Sequence, residues 1–141
     1  MRPAMYLAVG PPAFTAVAFL KLSSAIPPFY SYFHTHSGSV SILQTIALFT
    51  AIFFWAYAFW FFTIATMSVL ATVRRMHFHL TWYSFVFPNC GFAISTLGIG
   101  QSLDCPGICW VGTAMALVLV TVWLTVMAFH TRAVWRGDLL I

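Results

Sequence analysis

The sequence predicts an all-α, polytopic membrane protein whose single domain, residues 1–141, crosses the bilayer about four times. Three observations predict it. Hydrophobic residues make up 62% of the chain and charged residues 6%, where a soluble domain carries about 25% charged residues. No Asp, Glu, Lys or Arg occurs between Lys21 and Arg74, a run too long for one span and suited to two joined by a polar turn. Five of the six Lys and Arg lie between or beyond the apolar stretches. The formal charge of +4 therefore bears on topology and not on nucleic acid.

The spans follow in order. The first covers about residues 12–26, with Gly10-Pro11-Pro12 as a kinked start and Pro27-Pro28 as its stop, since proline supplies no backbone donor. These prolines, and the lack of a small-residue cleavage site, argue against a cleavable leader. Phe29–Gly38 is a polar, aromatic turn. The second span, about 42–73, is apolar on all sides and rich in Phe and Trp, which suits a lipid-facing outer helix. Arg74 and Arg75 end it. The third span covers about 80–101 and the fourth about 110–129, with a short loop holding Asp104 and Pro106-Gly107 between them. With four spans, Arg2, Arg74, Arg75, Arg132 and Arg136 fall on one side and no Arg or Lys falls in the two opposite loops. Both termini are thus expected in the cytoplasm.

The third span carries the most information. Thr81, Ser84, Pro88, Gly91, Ser95, Gly98 and Ser102 recur at steps of three and four, which on one continuous helix is a single narrow face of small and polar groups. Such a face suits close packing on a neighbouring helix or the lining of a wet pathway. Hydroxyls and unpaired backbone groups at a proline kink can partly replace an anion's water without holding it tightly, which conduction requires. Phe87, beside Pro88, is the bulkiest neighbour of the face; it is either an ordinary packing aromatic or a ring able to occlude a pore. Lys21 is the one basic residue inside a span. It either snorkels to the outer interface or attracts anions to a pore mouth.

Other chemistry is weakly supported. His34-Thr35-His36 and His77-Phe78-His79 are metal-like pairs, yet the topology separates them across the bilayer. Asp104 and Asp138 are the only acids, so no metal site, cofactor or enzyme activity is expected. A disulfide between Cys105 and Cys109 is permitted by an outer loop and not required by the spacing.

GPPAFTAVAFLKL (Gly10–Leu22) and WYSFVFPNCGFAISTLGIG (Trp82–Gly100) resemble the seventh and ninth spans of the tellurite-resistance/dicarboxylate transporter family. That family includes fungal malic-acid transporters, fungal sulfite efflux pumps and plant slow-type anion channels. The most specific element is Trp82-Tyr83-Ser84-Phe85-Val86-Phe87-Pro88, and Gly10-Pro11-Pro12-Ala13-Phe14 reads most like the fungal branch. The resemblance implies ten spans in five hairpins, each with an inner helix kinked at proline, around a pore, in homotrimers. This chain would supply the last two hairpins. A gating phenylalanine of the ninth span falls on Phe87, and Pro12 with the small face of the third span becomes pore lining or kink. The expected function is transport of small anions, above all dicarboxylates such as malate, across the plasma membrane, with sulfite as the alternative. A chain whose small face served packing alone would be a four-span scaffold or accessory subunit in the lipid bilayer.

Overall fold

The computed structural model describes residues 2–26, 36, 38–71 and 80–136. Among these the chain is helical, with no strand. A 3-10 segment, Arg2–Val9, leads directly into α1, Gly10–Ser24. Then come α2, Ser39–Leu70, a second 3-10 segment, Leu80–Phe85, α3, Phe87–Ser102, and α4, Pro106–Arg136. Among the described residues, three stretches are long and apolar enough to cross a membrane: Ala4–Ser24, Ser39–Leu70 and Pro106–Trp135.

The fourth span is longer than expected, Pro106–Arg136 in place of about 110–129, with Pro106-Gly107 inside the helix; two further differences are explained by proline. The first helical stretch begins ahead of residue 12. Pro11 and Pro12 occupy the first turn of α1, where a helix has no use for their missing N–H groups. The prolines mark the change from 3-10 to α geometry without ending the helix. Leu80–Ser102 is likewise not one α-helix, because a 3-10 segment precedes α3 and Pro88 sits in its first turn. Pro88 cannot donate to the preceding turn. The side chain of Asn89 supplies a donor there instead, its Nδ2 bonding the Phe85 carbonyl at 2.8 Å.

Small residues set the packing. Ala47, Ala51, Ala58 and Ala65 are the buried residues of α2 and fall at steps of four and seven on one stripe, where two backbones can approach closely. Ala51 clusters with Ala16 and Leu20 of α1, and Ala58 and Ala65 cluster with Val9 and Ala13. Around this stripe the aromatic rings interlock. Trp55 stacks on Phe59 and Phe92, Phe92 stacks on Phe62, and Tyr6 meets both Phe62 and Phe85. Only part of α2 therefore faces outward, with Phe53 and Trp60 exposed. Many threonines return their hydroxyl to the carbonyl four residues back, including Thr15, Thr50, Thr63, Thr121 and Thr125. This satisfies a polar side chain on a lipid-facing helix.

One side-chain bond ties the leading segment to the end of α2. Thr66 Oγ1 donates to Phe62 O at 2.7 Å, so the 2.8 Å contact between Tyr6 and Thr66 has the tyrosine hydroxyl donating. Tyr6→Phe is expected to lower stability by about 1 kcal/mol, one net hydrogen bond. Equilibrium unfolding in detergent micelles measures it, and an unchanged midpoint would refute the assignment.

Candidate functional site

α1 and α3 lie side by side and run parallel. A Cβ built on Gly10 would stand 3.5 Å from Pro88 Cβ, one on Gly91 3.0 Å from the Phe14 ring, and one on Gly98 2.9 Å from Leu20 Cδ1. The rising numbers on both helices give the direction. Each helix starts at its proline, so the two kinked starts cross at the Gly10–Pro88 contact.

This crossing sorts the predicted site residues. Pro12, Ser84, Pro88, Gly91 and Ser95 are all buried. The hydroxyl of Ser95, fully enclosed, donates to Phe92 O at 2.9 Å. Gly91 leaves the room that the Phe14 ring fills, since a methyl group there would sit 3.0 Å from two of its carbons. The side chain of Thr81 lies outside the described residues. The continuous small face expected over 81–102 is interrupted at Val86, where the 3-10 segment gives way to α3, because the two helix types have different angular steps.

Phe87 lies one turn before Gly91, at the outer edge of that buried face. It is 69% exposed, and its ring lies against that of Phe14, centroids 5.5 Å apart and planes 34° apart. Phe87, Ile94 and Gln101 are spaced by seven and all exposed. A seven-residue step drifts only about 20° around a helix, so they form one stripe. Phe14 and Lys21, also seven apart and exposed, form the matching stripe on α1. The parallel alignment puts the two phenylalanines near one end of this face and Lys21 with Gln101 near the other. Lys21 is in the last turn of α1, where the helix dipole favours a cation.

Phe14 is a candidate site residue that the sequence does not single out, although it lies in the Gly10-Pro11-Pro12-Ala13-Phe14 motif. Its seven-residue spacing to Lys21, matched by Phe87 and Gln101, was the available signal. Cys90, Cys105 and Cys109 are free thiols, each half-buried. Of the paired histidines only His36 is among the described residues, where no cluster of three His, Cys, Asp or Glu forms. His34, His77 and His79, like Arg74 and Arg75, lie outside them.

These features define a class: a multi-pass helical membrane protein with two parallel, proline-started helices that share an exposed aromatic face. The chain belongs to the voltage-dependent anion channel family (SLAC1), which it matches over residues 1–131. It is 32% identical over 141 residues to the malic acid transport protein of Schizosaccharomyces pombe, covering 98% of this chain and 32% of that protein. A putative malic acid transport protein of the same yeast is 29% identical over 142 residues, with 99% and 33% covered. The chain thus spans about a third of the length of the curated relatives it matches. No solved structure matches it significantly.

Proposed function

We propose that this chain builds part of the pathway of a membrane transporter for small anions, above all dicarboxylates such as malate, with Phe87 as the gate. The observation that carries the reading is the Phe14–Phe87 pair standing exposed on the shared face of the two proline-started helices. Two rings on that face present an apolar constriction, which excludes water and hence a hydrated anion until a ring swings aside. Lys21 biases the far end of the same face toward anions by raising their local concentration. Pro12, Ser84, Pro88, Gly91 and Ser95 act from behind the face as kink and packing residues, and Gly91 positions Phe14 against Phe87. The remaining hairpins of a ten-span protein, in homotrimers in the plasma membrane with both termini cytoplasmic, would close the pathway. No covalent chemistry is involved. The malic acid transport relatives favour malate over sulfite as the substrate.

The test is anion flux into liposomes containing the chain, wild type against Phe87→Ala, with malate and sulfite as separate permeants. Moving a side chain well off its preferred rotamer costs about 1.4 kcal/mol, which is a factor of ten. Phe87→Ala is therefore expected to raise malate flux about tenfold, with a smaller gain for sulfite. Equal, measurable flux through wild type and variant would refute the gate, and no flux from either would assign the pathway to a longer protein. Larger sulfite flux would refute malate as the substrate.

A further inference from the structure

Asn89 is tied into the junction where the 3-10 segment gives way to α3. Two backbone bonds mark the change. Val86 N donates to Tyr83 O at 3.0 Å, three residues back, and Cys90 N donates to Val86 O at 3.1 Å, four residues back. The first is a 3-10 bond and the second an α bond. Between them the Phe85 carbonyl is taken by a side chain, Asn89 Nδ2 at 2.8 Å. That bond closes a loop from residue 85 to residue 89 with Phe87 at its centre. Pro88 lies in the same loop and has no N–H to give, so the amide of Asn89 braces the backbone on both sides of the phenylalanine.

An amide is a costly side chain for this place. Asn89 is 7% exposed, and its Oδ1 is buried without a hydrogen-bond partner among the described residues. A carbonyl only accepts, so the bond to Phe85 O must come from the NH2 end, and the idle oxygen follows from it. A buried acceptor left unpaired costs at least as much as a typical hydrogen bond contributes. Asn89 lines one cavity with Phe62, Phe85, Phe92 and Met115, all apolar. Leucine, nearly isosteric with asparagine, would suit those walls without an idle oxygen. Stability alone therefore does not account for the amide. What asparagine does here and leucine cannot is hold the Phe85 carbonyl.

That hold bears on the Phe87 ring. Phe87 is 69% exposed, so few neighbours confine it. Its ring meets that of Phe14 at 5.5 Å and 34°, a contact that depends on where the backbone presents the side chain. With the amide gone, the Phe85 carbonyl can take the backbone N–H of residue 89, one of the donors that a helix start leaves unpaired. That would be an α bond, carrying α geometry back through Phe87 in place of the present break. We propose that Asn89 is a positioning residue of the anion pathway, whose amide, by holding the Phe85 carbonyl, sets the side chain of Phe87 against Phe14. The inference rests on the reading of Phe87 as the gate.

The experiment places 4-fluorophenylalanine at position 87 of the full chain in detergent micelles and reads its fluorine resonance, which the ring current of Phe14 displaces. Phe14→Leu gives the resonance of a ring without that contact. Asn89→Leu is expected to shift the resonance toward the Phe14→Leu value. Asn89→Ala, which removes the donor without adding bulk, should do the same, and circular dichroism checks the fold of both. Thr96→Val removes a hydrogen bond elsewhere on α3 and should leave the resonance in place. A role in stability alone would lower the unfolding midpoint without moving the signal of the folded protein. A resonance unmoved by both Asn89 variants, or moved as far by Thr96→Val, would overturn the proposal. Flux then separates this proposal from the gate itself. Asn89→Leu should raise malate flux by up to about tenfold, the rotamer factor expected of Phe87→Ala, and should add nothing in the Phe87→Ala background. A further rise in that background would mean that Asn89 acts other than through Phe87, and would overturn the proposal. A shifted resonance with unchanged, measurable flux would refute the gate and leave the placement of Phe87 by Asn89 standing.

Discussion

Replacing Gly100 by leucine is expected to separate α3 from α4 and to lower stability by about 3 kcal/mol, the upper part of the range for overpacking. A Cβ at this position would stand 2.9 Å from both the backbone nitrogen and the Sγ of Cys109, and 3.1 Å from Ile108 Cγ2. Side-chain ends can rotate away, but a backbone nitrogen in the first turns of a helix cannot. The carbonyl of Gly100 is held as well, accepting from Cys105 N at 2.9 Å within the turn between the helices. The residue is thus pinned from both sides, and relief requires moving the whole hairpin. Gly107→Ala is the control, because a Cβ there meets nothing within 4 Å among the described residues; its effect should stay within about 0.5 kcal/mol. Unfolding of each variant by a denaturing detergent, followed by circular dichroism, gives both numbers. Equal midpoints for the two variants would show that close approach at Gly100 is not needed.

This contact illustrates what could be read from the sequence and what could not. Membrane character, helical class and approximate span positions followed from hydropathy, which depends only on composition along the chain. The inward face of α2 did not. Its whole surface is apolar, and the side that packs is distinguished by size, as the stripe Ala47, Ala51, Ala58, Ala65 shows. In lipid, polarity no longer separates inside from outside, and small residues carry that information. The small face of the third span was legible as a pattern, yet two of its members, Gly91 and Gly98, serve an α1 contact whose partners, Phe14 and Leu20, lie more than seventy residues away. No spacing rule names a partner at that distance. The change of helix type at Val86 hid the rest, since a 100° step cannot be carried through a 3-10 segment. Asn89 was overlooked because an amide inside a span looks like another polar seam residue until its two ends are seen in different surroundings.

Trp55→Ala is expected to be among the most damaging single truncations, costing about 3–5 kcal/mol. Trp55 is one of the residues through which α2 meets α3, beside Phe59 and Phe62. Its ring stacks on Phe92 at 5.5 Å and 22°, and on Phe59 at 5.7 Å and 13°. Its Nε1 donates to Thr96 Oγ1 at 2.8 Å. Thr96 in turn donates to Phe92 O at 2.8 Å and is buried, so its hydroxyl is satisfied on both sides only while Trp55 is present. Within lipid the hydrophobic effect adds little to helix association, and packing contacts with a few hydrogen bonds must supply it. Ring contacts and hydrogen bond can be separated. Thr96→Val removes the acceptor and keeps the shape, and should cost about 1 kcal/mol. Trp55→Phe keeps a ring but loses the donor and should cost somewhat more. In Trp55→Phe with Thr96→Val the losses should be less than additive, because both remove the same bond. Additive losses in that double variant would mean that the 2.8 Å contact contributes nothing, leaving ring packing alone to join α2 to α3.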